Sequence, residues 1–164
     1  MKYKKISLIF LIILYLEFIY HLFVFKSFDI KSAFFIIIFT FLTSIFIDLI
    51  TNLFSDKKNK SFLIIIVVFL TILFTAQYIN YVFYGNVISI YSLFNGGQVF
   101  EFYDQIIAVI LNNIIPVILL LLPILLINVI NKKIFTINLN YNQLIIKIGV
   151  LIISYFFCIS TLNF

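Results

Sequence analysis

The sequence predicts an all-α, polytopic membrane protein with five transmembrane helices, and three observations carry that reading. First, 65% of its 164 residues are hydrophobic and 10% are charged, with a mean hydropathy of +1.25. Soluble domains average about 45–50% apolar and about 25% charged, and a water-soluble fold of this length has too little interior to hide the excess. Second, the apolar residues come in unbroken runs of roughly 20. Such a run, helical at ~1.5 Å per residue, covers the ~30 Å of hydrocarbon in a bilayer. Third, the runs are joined by short polar links whose basic residues are all lysine.

Taken in order, the spans fall at 6–25, 33–54, 62–84, 105–130 and 144–162, in a single transmembrane domain over 1–164. The first follows Lys2, Lys4 and Lys5. It has the length of a span and lacks a small-residue cleavage motif, so it reads as an uncleaved signal anchor. The link KSFDIKS precedes the second span, and SDKKNKS, the strongest loop signal in the chain, precedes the third. The fourth carries Pro116 and Pro123, seven apart on one face, where proline frees carbonyls and kinks the axis. The polar link NKKIFTINLNYNQ leads into the fifth. The single cysteine, Cys158, cannot form an intrachain disulfide and reads as a small apolar filler.

Five spans place the termini on opposite sides, and lysine distribution chooses which. With the N-terminus inside, the inner segments hold eight lysines at 2, 4, 5, 57, 58, 60, 132 and 133, against Lys26 and Lys31 outside. The positive-inside rule sets the N-terminus in the cytoplasm and the C-terminus outside the cell membrane. The net charge of +5 follows from these clusters and is no signal for nucleic acid.

Residues 85–104, GNVISIYSLFNGGQVFEFYD, break the apolar pattern between the third and fourth spans. The stretch is too polar to span a bilayer and too aromatic to be an inert loop. It reads as an amphipathic or re-entrant outer segment at the interface, where a tyrosine ring is apolar and its hydroxyl wet. Gly96-Gly97 reads as a turn; adjacent glycines also let backbone N–H groups approach a lipid phosphate.

Polar residues inside spans cost about 2.5–3.5 kcal/mol each when charged, so each asks for a reason. Glu17 and His21 lie four apart and share a helical face. Gln77 and Asn80 lie three apart in the third span, and Asn112, with Asn113, begins the fourth. All fall in the outer half of the membrane, which points to a polar pocket of Glu17, His21, Gln77, Asn80 and Asn112 beneath the outer segment. Interhelical packing contacts are the alternative. Asp48, near the inner end of the second span, reads as structural, reaching water or Lys57 and Lys58. The chain carries no metal-ligand cluster of its own and no G-x-S-x-G, Walker A or H-E-x-x-H signature.

YLEFIYHLFVF, KKNK, FTAQYINYVFYGNVISIYSLFNGGQVFEFYD and NNIIPVILLLLP, in that order, resemble the N-terminal membrane region of lipoteichoic acid synthase-like proteins. These are phosphoglycerol transferases of the alkaline phosphatase/sulfatase superfamily. The resemblance implies a five-span anchor that supports lipid-donor access or docks an extracellular catalytic domain, and is not catalytic alone. It implies no catalytic residue in this chain, and no cofactor: a divalent metal such as manganese would belong to the family's extracellular catalytic domain, which is absent from this chain. The implied partners are a membrane lipid such as phosphatidylglycerol and an extracellular sulfatase-like domain. Tyr91, Asn95, Gly96, Gly97, Gln98 and Glu101 would form the lipid-binding or docking surface. A small transporter or channel subunit, with Glu17 and His21 in its path, or a purely structural membrane protein, are the alternatives.

Overall fold

The computed structural model describes residues 4–25, 29–52, 56–88, 103–129 and 145–152, and within them every regular element is a helix. The elements are α1 (Lys4–Val24), α2 (Ile30–Asn52), α3 (Asp56–Tyr84), α4 (Tyr103–Asn112) and α5 (Ile114–Val129), followed by helical residues 145–152. α1, α2 and α3 are each long and apolar enough to cross a membrane. The five spans expected from the sequence thus become, among the described residues, three, or four if α4 and α5 count as one broken span. The fifth span, 144–162, is described only over its first turns, and 153–162 lie outside the described residues.

α1, α2, α3 and α5 each bury part of their surface. On α3, Asn59, Leu63, Val67, Thr71, Thr75 and Tyr78 are buried, a spacing of four, four, four, four and three that keeps them on one face. On α5, Leu120, Pro123 and Ile127 are enclosed, and on α1 Ile9, Ile13, Leu16 and Tyr20 run along the same core. α1 packs most extensively on α2, and α3 on α5. The outward faces remain apolar, with Phe18, Phe34, Phe69 and Leu125 all exposed, as a hydrocarbon solvent requires.

The helices overrun the spans read from hydropathy. α2 begins at Ile30, before the expected 33, and α3 begins at Asp56, so most of the link SDKKNKS is helix where a loop was expected. Hydropathy marks the hydrocarbon, whereas a helix runs until its hydrogen bonds are capped. α3 ends at Gly85, whose φ of 72° is the left-handed conformation a non-glycine residue resists. The Gly85 N–H donates to the Tyr81 carbonyl at 2.8 Å, closing an αL cap.

The fourth span departs most from expectation. It is not one helix over 105–130 kinked at its prolines. α4 and α5 meet at 88° across Asn113. The cause is Pro116: lacking an N–H, it cannot bond the Asn112 carbonyl four residues back, and its ring would strike that carbonyl. Proline is accepted in the first turn of a helix, so a new helix starts at Ile114 and the old one stops at Asn112.

Candidate functional site: two polar clusters at opposite ends of the bundle

At one end, α1 begins, α2 ends and α3 begins. α2 approaches closely there because its buried stripe is small and polar: Thr40, Ser44, Asp48 and Thr51. Small residues let membrane helices come together. Asp48 is 2% exposed, and a bare carboxylate there would be costly. It is instead bracketed by two ammonium groups. Lys5 Nζ of α1 lies 3.4 Å from Asp48 Oδ1, and Lys147, in the helical residues 145–152, pairs with Oδ2. Asn52, one turn on, donates from Nδ2 to Asp48 Oδ2 at 3.0 Å and accepts from Lys5 Nζ at 2.8 Å. Asn59 of α3 donates to the same Asn52 oxygen at 3.5 Å. Four helical segments are thereby tied to one carboxylate–amide pair.

The sequence expectation for Asp48 is corrected here. It is expected to reach water or Lys57 and Lys58; it is enclosed, and its partners are Lys5 and Lys147, 43 and 99 positions away along the chain. Lys5 reads in sequence as one more charge at a membrane surface, yet it is 7% exposed. The signal available was the stripe itself, with Asp48, Asn52 and Thr51 on the inner turns of an otherwise apolar helix.

At the other end the contacts are neutral. Tyr78 Oη of α3 donates to Asn113 Oδ1 at 3.1 Å. Asn113 Nδ2 donates to the Val109 carbonyl at 2.9 Å, and the Asn113 N–H reaches the Val109 and Ile110 carbonyls at 3.1 and 3.2 Å. The Asn113 carbonyl accepts from the Val117 N–H at 3.3 Å. One residue therefore closes α4, opens α5 and fastens the corner to α3. Farther along α5, Pro123 deprives the Leu119 carbonyl of its helical partner. Tyr15 Oη of α1 donates to that carbonyl at 2.9 Å.

The sequence-derived pocket residues sit as follows. Glu17 and His21 lie on α1, half-buried, with the His21 ring edge-on to Phe25 at 4.6 Å between centroids. Gln77 is half-buried on α3. Asn80 donates from Nδ2 to the Asn86 carbonyl at 2.8 Å, a local bond that supports the chain as it leaves α3. Asn112 is exposed, and its neighbour Asn113 takes the interhelical contact. Tyr91, Asn95, Gly96, Gly97, Gln98 and Glu101 lie outside the described residues. Among the described residues no three metal-ligating side chains converge.

By 100° per residue, α4 places Asp104, Gln105, Ala108 and Asn112 along one side and Tyr103, Ile106, Ile107 and Ile110 along the other, with Leu111 beside Asp104 at the boundary. None of its residues is buried.

Comparison of the chain with protein-family models, with curated proteins and with solved structures finds no match.

Proposed function

We propose that the chain is the membrane-anchor domain of a lipoteichoic acid synthase-like phosphoglycerol transferase, with its N-terminus cytoplasmic and its C-terminus extracellular. Its role is to give the lipid donor access to, or to dock, an extracellular catalytic domain; it is not catalytic alone. One observation carries the reading beyond the sequence resemblance: the right-angle corner at Asn113. With α5 along the membrane normal, α4 lies flat at the surface. Its two-sided pattern suits that position, because a helix in the interface keeps one side in the acyl boundary and the other in water. The glycine- and aromatic-rich residues 85–102 lead directly into this flat helix. Tyr84 and Tyr103 flank them, both exposed, as tyrosine at a headgroup level would be. Lys5, Asn59 and Lys147 gather at the opposite end, which agrees with a lysine-rich cytoplasmic side.

The test is a photoreactive residue at Asn95 or Gln98 in intact cells, with the captured species identified. Capture of an anionic phospholipid or of a sulfatase-like protein is expected. Capture of neither, with the protein present in the membrane, sinks the reading in favour of an unrelated membrane protein.

A further inference from the structure

Four acidic side chains are described, and three have a plain setting. Asp29 and Asp104 are exposed at helix starts, and Asp48 sits in the ion cluster. Glu17 has neither water nor a counter-charge. It lies inside α1, twelve residues on from Lys5 and eight before Phe25. At ~1.5 Å per residue that is about 18 Å from the clustered end and about 12 Å from the other. It is half-buried, and no hydrogen bond or ion pair joins its carboxyl to another described residue. An unpaired carboxylate is costly in hydrocarbon, so an ionisable group kept there asks for a use.

A second incomplete group stands beside it. Tyr20 is 6% exposed, its ring edge-on to Phe74 of α3 at 5.9 Å and to Phe25 at 6.2 Å between centroids. The hydroxyls of Tyr15 and Tyr78 are committed to partners on other helices. That of Tyr20 is enclosed and has no hydrogen-bond partner among the described residues, which forfeits the bonds it makes in water. Residues three apart on a helix are neighbours, with ~5–6 Å between Cβ atoms, and Glu17 and Tyr81 both lie within electrostatic reach of Tyr20. The other titratable groups are few. On α1 His21 lies one turn beyond Glu17; α3 brings Tyr81, while Tyr78 is bonded to Asn113; α2 has Lys31, exposed near its start, and Asp48 near its far end; α5 has none. None of them forms an ion pair with Glu17. One carboxyl and two phenols are too few oxygens for a divalent cation such as calcium, which takes six or more, and a headgroup ammonium would have to sink about 12 Å below the end of α1. A proton needs no further ligand: it neutralises the carboxyl, and a phenol can both donate to and accept from the acid. We propose that Glu17 and Tyr20 form a proton-binding site inside the bundle. Glu17 takes up and releases the proton at a carboxyl oxygen, with no other bond made or broken. Tyr20 Oη is the hydrogen-bond partner of that carboxyl, directly or through one water. The proton enters from the end away from the ion cluster, which is the nearer one. The site stands whether or not the synthase-like reading does.

The experiment is a carboxyl titration by nuclear magnetic resonance on the purified full chain in mild detergent. The chain has two glutamates, Glu17 and Glu101, so glutamate labelled with ¹³C at its side-chain carboxyl, in a Glu101→Gln background, leaves Glu17 as the one labelled acid. Its resonance is expected to move between the acid and carboxylate positions over roughly pH 4 to pH 10. Tyr20→Phe keeps the ring contacts and removes only the hydroxyl, and it should displace the midpoint by at least about half a pH unit. Tyr84→Phe, at an exposed tyrosine, should leave the midpoint in place. If Tyr20→Phe does not fold, a tyrosine ring ¹³Cζ resonance that moves with the same midpoint in the unsubstituted chain gives the second reading. A Glu17 resonance that stays fixed over the whole range overturns the proposal. So does a midpoint that Tyr20→Phe leaves unmoved, or, where that variant is not folded, the lack of any tyrosine signal that follows it.

Discussion

The two ends of the bundle solve the same problem with different chemistry. Each must fasten helices that lipid gives no hydrophobic reason to associate. The Lys5 end uses charge: one carboxylate, two ammonium groups and two amides, almost fully enclosed. The Asn113 end uses one amide, one phenol and backbone carbonyls. The difference teaches where failure is abrupt and where it is graded. A charge in hydrocarbon that loses its partner has nothing to fall back on, while a hydroxyl or amide that loses a partner forfeits one modest bond.

The sharpest way to break the comparison is Asp48→Asn. It leaves Lys5 and Lys147 facing each other across a neutral amide, and removing one partner from a buried pair costs about 3–5 kcal/mol. Little folded protein is expected on size exclusion in mild detergent. Lys5→Met or Lys147→Met should each cost less than half as much, because Asp48 keeps one ammonium and the cluster balances. Combining Asp48→Asn with both Met substitutions should recover most of the loss, since well-packed apolar replacements of a buried ion group are often neutral or better. If Lys147→Met proved as damaging as Asp48→Asn, the charge-balance account would be wrong.

Substitution at the neutral end should be milder. Asn113→Ala removes the Tyr78 bond and the side-chain cap on Val109, and thermal unfolding in detergent should show a loss of about 1–2 kcal/mol. Tyr78→Phe removes one of those bonds and should cost about 0.6 kcal/mol, the average for interhelical bonds in a membrane bundle. The double variant should cost less than the sum of the two, since both singles remove the shared bond. Full additivity would show that the corner is not fastened through this pair.

The same contrast explains what could be read from the sequence. α1, α2 and α3 were legible because each is a long apolar run bounded by polar residues, and the bilayer imposes their length. The corner was not, because hydropathy averages over Asn113 and sees one apolar stretch from 105 to 130. The local cue was there in chemical terms: an asparagine followed three residues later by a proline is a cap before the first turn of a new helix. The ion cluster was harder. Nothing in Lys5 or Lys147 separates a buried lysine from a headgroup lysine, and their common partner is fixed only when α1, α2 and residues 145–152 are side by side. Glu17 and His21 show the converse, being conspicuous in sequence because they are charged or titratable, while the hydrogen bonds described between helices away from the ion cluster are those of Tyr15 and of Tyr78 with Asn113.

The smallest effect separates two meanings of proline in this bundle. Pro116 ends one helix and starts another, whereas Pro123 sits inside α5 and leaves the Leu119 carbonyl without its N–H. Tyr15 supplies the replacement donor from α1, so the proline has turned an internal helix bond into an interhelical one. Tyr15→Phe should therefore cost about 0.5–1.5 kcal/mol in the native sequence, the net worth of a typical hydrogen bond. In a Pro123→Ala background the alanine N–H can take the Leu119 carbonyl, and the cost of Tyr15→Phe should fall to a few tenths of a kcal/mol, read by the same thermal unfolding. An unchanged cost in that background would mean that the phenol is held by packing between the helices and that the proline has no part in the contact.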